Sequence, residues 1–237
     1  MVDSGLLEAC VRETLNANAP RTMAVLKPLR VVIENYPEGR TEALNIERHP
    51  DHPEMGSETV PFSREIFVER DDFLIDPPKK FFRLYPGNEV RLKGAYFIKC
   101  VGYEADESGE VTLLRCTYDP ESKGGTSPDG RKVRGTLHWV DAAAAITAEV
   151  RLYDRLFCVE NPSAEEDYAA VLNPQSLIIL KNAKIAPSFW AALAQGLLDK
   201  TNKGSCQFMR NGYFIPDADS TPEKPVFNRT VALNSSW

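Results

Sequence analysis

Between Lys79 and Lys93 the chain reads KKFFRLYPGNEVRLK, five basic side chains and three aromatic rings around one Pro-Gly-Asn turn, in a protein that is acidic as a whole. Ammonium and guanidinium groups pair with phosphate oxygens and aromatic rings stack on bases, so this mixture suits a polyanion and, in particular, a nucleic acid. Read as a hairpin closed by Pro86-Gly87-Asn88, the segment sets Tyr85 opposite Glu89, Arg83 opposite Arg91 and Phe81 opposite Lys93, with Phe82, Leu84, Val90 and Leu92 on the core face. Two arginines facing each other across a strand pair repel, and an anionic partner would relieve them. A solvated strand face with scattered charges is the other reading of the same residues.

Two further segments carry similar chemistry. Arg21 follows Asn18-Ala19-Pro20, where a rigid proline can aim a guanidinium at a partner. In Cys206 to Phe214, alternation puts Gln207 and Met209 on one side of a strand and Phe208 and Arg210 on the other unless a bulge intervenes, and Gln and Arg offer the donors and acceptors that base edges require. Catalytic chemistry has fewer candidates. Of the three histidines, His49 and His52 lie in the Pro-rich loop RHPDHPEMG, where no fourth metal ligand is evident, and His138 beside Trp139 reads as a satisfied core or interface residue. The sequence holds no GxxxxGK[ST] or GxGxxG phosphate cradle and no GxSxG nucleophile elbow. Binding therefore outranks catalysis.

A net charge of −6 at first argues against nucleic acid, but residues 79–93, 123–134 and 199–213 carry +4, +3 and +2, leaving the remainder near −15. Basic stripes on an acidic body steer a polyanion to one face and repel it elsewhere. The five cysteines are odd in number and contain no CxxC pair, so neither a disulfide framework nor a zinc site is indicated, and a reducing cytoplasm fits. No apolar run approaches the roughly 18 residues of a membrane span, and the start lacks a basic leader.

The elements that must position these residues are mostly strands. The apolar spacing of Leu6, Leu7, Cys10, Val11 and Leu15 predicts a short amphipathic helix from Ser4 to Leu15, ended by Asn16 to Pro20. Strands are expected at Met23–Leu26, Leu29–Glu34, Val60–Ile66, Lys80–Tyr85, Glu89–Glu104, Val111–Tyr118 and Lys132–Val140. After the Ala142–Ala145 linker more follow at Ala148–Leu156, Ser176–Leu180, Gln207–Arg210, Tyr213–Ile215 and Val226–Leu233, with helical character from Phe189 to Lys200. The fold class is mainly β: two β-barrels preceded by a short connecting helix. Residues 1–20 form helix and turn, 21–141 the first barrel region and 142–237 the second, with exchange of strands between barrels left open.

In order along nearly the whole chain, NANAPRTMAVL, PEMGSETVPF, RLYPGNEVRLK, GTLHWV, VRLYDRLF, Gln207 to Phe214 and KPVFNRTVAL resemble the carboxy-terminal, anticodon-binding part of glutaminyl-tRNA synthetases. The resemblance implies two anticodon-binding β-barrels of the type found in 5S-rRNA-binding ribosomal proteins. It implies that Asn16 and Arg21 reach the anticodon loop, with Arg21 and Gln207 at the middle uracil, Arg83 at the third base, Arg91 and Lys93 around the first, and Arg210 as another basic contact. Bases splayed from a loop can be stacked and read on their exposed edges in this way. Departures are visible. Phe82 stands where better-known bacterial members carry lysine, Lys93 replaces arginine and Met209 replaces an acidic residue. The region from Phe189 to Gly204 is longer. A lysine lacks the bidentate geometry of a guanidinium, which bears on the first base, and Phe82 fits the core face better than a base contact.

HIGH- and KMSKS-like signatures are missing, so the chain is expected to be a piece of a larger class I enzyme and inactive alone. It would carry no cofactor of its own, with ATP and Mg belonging to the catalytic domain of the parent. The partners implied are the tRNA for glutamine, through its anticodon loop, and that catalytic domain; DNA and membranes are not expected, and a cytoplasmic monomer is. Three other readings stand beside this one: a glutamate-type synthetase tail, a free-standing RNA-binding barrel protein, and a hydrolase using His49 or His52.

Overall fold

The computed structural model describes residues 4–127, 129–196 and 204–234. In chain order, helix α1 (Ser4–Asn18) is followed by β1 (Arg21–Thr22), β2 (Ala24–Val25), β3 (Pro28–Ile33), β4 (Glu42–Glu47), β5 (Ser57–Phe62), β6 (Glu65–Glu69), β7 (Glu89–Leu92), β8 (Phe97–Ala105) and β9 (Val111–Asp119). Then come β10 (Thr136–Leu137), β11 (Val140–Asp141), β12 (Ile146–Tyr153), β13 (Leu177–Ile185), helix α2 (Pro187–Ala194), β14 (Cys206–Phe208), β15 (Gly212–Pro216) and β16 (Val226–Val231). The expected helix end at Lys200 lies outside the described residues.

Two sheets of seven strands hold nearly all of these elements, in the orders β1-β14-β15-β16-β12-β13-β2 and β10-β7-β8-β9-β3-β6-β11, with β4 and β5 paired separately. The edge strands explain the architecture. β1 and β2 sit at opposite edges of the first sheet yet are separated in sequence only by Met23, and β10 and β11 flank the second yet are separated only by His138-Trp139. Consecutive Cα atoms are about 3.8 Å apart, so each sheet must curl until its edges nearly meet. The result is two β-barrels, each with a seam made by a short broken strand. Arg21 to Val25 serves the barrel built otherwise from residues 146–231, which is a strand exchanged across the chain.

A continuous apolar core joins the barrels. Trp139, fully buried, meets Phe62 edge to face at 5.0 Å, and Phe62 in turn packs on Tyr36 and Tyr96. Phe208 stacks on Phe214 at 4.4 Å in the other half. Helix α1 docks by Leu15 and Val11 onto Ala19, Tyr213 and Val231, while Leu6 and Leu7 of its expected apolar stripe stay exposed.

Several expectations are corrected. Strand β4 went unforeseen, although Leu44 and Ile46 are its buried positions with exposed neighbours at the period of two that strands show. Val60–Ile66 is two strands, split at Ser63-Arg64, and Glu89–Glu104 is likewise broken by Gly94 at φ 66°. Lys132–Val140 contributes β10 and the first residue of β11, with irregular chain from Lys132 to Gly135. The largest correction concerns Lys80 to Tyr85, which is no strand. Lys80 takes a left-handed φ of 71°, and Leu84 pairs instead with Phe73 and the Asp72 carbonyl. The partners of β7 are β8 and β10, so Arg83 does not oppose Arg91. Phe82 is 43% exposed rather than core, and its carbonyl is pressed against Gly135, where a Cβ would approach it to 1.8 Å.

Candidate nucleic-acid interface

The seams of the two barrels face each other across a cleft of about 340 Å³. From the barrel built mainly of residues 146–231, β1 runs parallel to β14 with Arg21 beside Gln207, a register held by Gln207 N donating to the Pro20 carbonyl at 2.9 Å and Met209 N to that of Thr22 at 3.0 Å. From the other barrel, Lys93 follows β7, its amide donating to Leu137 O at 2.9 Å and its carbonyl accepting from Trp139 Nε1 at 3.0 Å. Arg21, Lys93, Gln207, Met209 and Arg210 therefore line one cleft, with Thr136 and His138 between them and Glu47 and Pro50 at the rim.

The turn from β14 to β15 explains how Arg210 reaches this wall. Simple alternation would send it away from Gln207 and Met209, but Arg210 takes a φ of 66°, which turns the chain and aims its side chain back into the cleft. A positive φ on a residue with a full side chain is uncommon and persists where the surroundings fix it. They do so here. Both terminal nitrogens of Arg210 donate to the Asp72 carboxylate at 2.6 Å, and the Asp72 side chain is 2% exposed.

Gln207 is similarly constrained. Its Nε2 donates to the Tyr213 hydroxyl at 2.8 Å, which donates to Asn16 Oδ1 at 3.1 Å, and Arg21 Nη2 approaches the same oxygen at 3.4 Å. Asn16, at the end of α1, thus ties the middle-base candidates Arg21 and Gln207 together. Its carbonyl accepts from His49 Nε2 at 2.8 Å; the Nδ1 of that ring accepts from the Asp51 amide, which fixes the tautomer. His49 is a buried loop anchor, and His52 pairs with Glu54.

Two buried carboxylates back the cleft, and their pKa values shift in opposite directions. Burial raises the pKa of Glu58, against hydrogen bonds from Thr22, Ser188 and the Met23 amide. Burial also opposes ionisation of Glu69, but the hydrogen bond and charge of His138, with the Leu26 and Lys27 amides, outweigh it and hold that carboxyl below its ordinary value. Asn211 Nδ2 donates to Glu69 as well, at 2.8 Å.

Arg83 stands beside the cleft rather than in it. Its Nε lies 3.3 Å from Asp72 and its Nη1 donates to the Asp71 carbonyl at 2.9 Å. Arg91 lies apart, over the Phe97 ring at 5.4 Å, its buried Nε without a hydrogen-bond partner among the described residues. Nearby, Lys79 to Phe82, Tyr85 and Arg131 to Arg134 shape a second, open groove of about 610 Å³. Arg131 is neutralised there by Glu89, Asp119 and Asp129, while Arg134 lies over the Phe82 ring at 5.1 Å. The sequence reading missed Asp72 and Tyr213, whose roles depend on partners 138 and 197 residues away. Among the described residues no cluster of three or more His, Cys, Asp or Glu is placed to hold a metal, and no helix is long and apolar enough to cross a membrane.

Two closed barrels with a donor-rich cleft between their seams define a β-barrel nucleic-acid-binding protein. Two family models agree, each described as the anticodon-binding domain of class I tRNA synthetases for glutamate and glutamine (E and Q), and they match residues 19–119 and 136–217. The chain belongs to this family of anticodon-binding domains. Among curated proteins it is 54% identical over 237 residues to the glutamine–tRNA ligase of Bradyrhizobium diazoefficiens, 53% over 236 to that of Nitrobacter hamburgensis and 51% over 238 to that of Aliivibrio salmonicida. The matches cover 100% of this chain and 41%, 40% and 42% of those relatives, so it spans about two fifths of their length.

Proposed function

We propose that this chain recognises the anticodon loop of the tRNA for glutamine, as the anticodon-binding portion of a glutamine–tRNA ligase. The parent's catalytic portion would attach glutamine to that tRNA with ATP and Mg; the part described here binds and selects. The observation that carries the reading is the convergence of Arg21, Lys93, Gln207 and Arg210 on one cleft between two barrel seams. Cations draw in the RNA backbone, and the Gln and Arg donors, held by Tyr213 and Asp72, are presented to base edges in fixed directions. Arg21 and Gln207 are assigned to the middle uracil, Arg83 to the third base, and Lys93 with Arg91 to the first, where Lys93 contributes charge without a bidentate fork. The chain acts as a cytoplasmic monomer with no role on DNA or membranes.

The test is binding of this chain to stem–loop RNAs that differ only in the anticodon, across a salt series. Weak, salt-sensitive binding with preference for CUG or UUG is expected. Equal affinity for every anticodon at moderate salt would overturn the proposal, and preference for CUC would transfer it to the glutamate-type enzymes.

A further inference from the structure

We infer that Asp72 is a positioning residue for base discrimination, its carboxylate clamping Arg83 and Arg210 into one fixed pair of guanidinium groups. The inference rests on the anticodon-reading function proposed above and deepens it, since the same carboxylate that holds Arg210 also reaches Arg83. Asp72 ends a 3-10 turn, Arg70–Asp72, that follows β6 in one barrel, whereas Arg210 comes from the β14–β15 turn of the other. Arg83 arrives from the irregular 79–88 segment. Two arginines from separate parts of the chain thus converge on two carboxylate oxygens: Arg210 takes both, at 2.6 Å each, and Arg83 Nε lies 3.3 Å from Oδ1.

The main chain reinforces the clamp. Leu84 N donates to the Asp72 carbonyl at 2.9 Å, and Asn88 Nδ2 donates to the Arg83 carbonyl at 2.7 Å, so backbone and side chain of Arg83 are both held. The carboxylate is almost wholly buried, while the Arg83 and Arg210 side chains remain 43% and 34% exposed. Each guanidinium has five N–H donors. Arg210 spends two on Asp72 and directs a further contact from Nη1 at His138 Nδ1, at 3.4 Å, and Arg83 directs Nε at Asp72 and Nη1 at the Asp71 carbonyl, so donors remain on both for a ligand.

Stability alone accounts poorly for this cluster. A buried ion pair is commonly no better for stability than apolar side chains of similar size. The left-handed φ of 66° at Arg210 adds backbone strain. Two arginines on one carboxylate also leave a net positive charge at the edge of the cleft. What the arrangement does provide is direction: neither guanidinium can swing freely to the nearest phosphate, so each reads the atoms that come to it.

The experiment uses this chain and stem–loop RNAs carrying CUG or CUC, with affinities read by fluorescence anisotropy and folding by thermal melting. Asp72→Asn is expected to lower the CUG-to-CUC preference about tenfold, mainly by strengthening CUC binding, because two released cations bind phosphate indiscriminately. Arg210→Lys keeps the charge but loses the two-point grip, so it should erode the ratio in the same sense, and it carries the test should Asp72→Asn not fold. In the Arg83→Ala background, Asp72→Asn should cause little further loss of preference, as expected for a residue acting through Arg83. An equal weakening of both RNAs, with a lower melting temperature and an unchanged ratio, would make Asp72 only a staple between the barrels and overturn the inference. Absence of any preference in the unaltered chain would instead remove the function on which it rests.

Discussion

The cleft between the barrel seams and the groove beside it are both basic, yet they are built in different ways. Side chains of the cleft project from strands or from turns anchored to both sheets, and buried groups back them: Asp72 behind Arg210, Tyr213 behind Gln207, Glu58 behind the strand of Arg21. The groove is made of irregular segments, 77–88 and 131–134, with Glu89 of β7, and one of its cations, Arg131, is neutralised by three carboxylates within its own neighbourhood. Fixed donors read bases and mobile cations hold phosphates, so the difference in support predicts a division between specificity and general affinity.

The largest expected effect lies in the support of the cleft. Arg210→Ala leaves the buried Asp72 carboxylate with Arg83 alone and should cost about 3 kcal/mol in urea unfolding. Lys132→Ala in the groove should leave unfolding within about 0.5 kcal/mol of the unaltered chain. Similar losses from both would erase the distinction between the two regions.

A second comparison uses the RNA. Arg83→Ala, tested in the full-length enzyme, should reduce discrimination at the third anticodon base by about 1–3 kcal/mol. Neutralising Lys132 should weaken all anticodons alike and lower the salt slope by about 1. A uniform loss from Arg83→Ala would reassign that arginine to phosphate binding.

The smallest effects concern the carboxylates behind the cleft, and their signs are opposite. The folded pKa of Glu58 is raised above the ordinary 4.5, so its contribution to stability is present below that value and lost as pH rises through the folded pKa. Glu58→Gln imitates the protonated form, and its melting temperature should gain on that of the unaltered chain from acid to neutral pH. Glu69, held below 4.5, contributes above that value and loses its contribution as the pH falls through its folded pKa. The deficit of Glu69→Gln should accordingly shrink in acid. A parallel pH response of the two variants would contradict the opposite directions of the two shifts.

Much of the molecule was legible in the chain itself. Apolar spacing located α1 and most strands, and residue chemistry singled out Arg21, Gln207, Lys93 and Arg210 before anything placed them together. The errors fell where local pattern and long-range contact disagree. Lys80 to Tyr85 alternates like a strand, but Lys80 is left-handed and Leu84 pairs with Phe73, so the facing arginines that first suggested an anion never meet. Strict alternation puts Arg210 on the wrong side of its strand; the Asn211-Gly212 pair that follows marks a turn, but not that the left-handed φ falls on Arg210.

By itself the sequence determined composition, periodicity and the inventory of donors, since these depend on residue type and near neighbours. Tertiary structure alone decided which donors share a cleft, because barrel closure brings together Arg21 and Gln207, 186 positions apart, and sets the Asp72 carboxylate under Arg83 and Arg210. Such pairings follow from where sheet edges meet, a property of the whole chain that no local window contains.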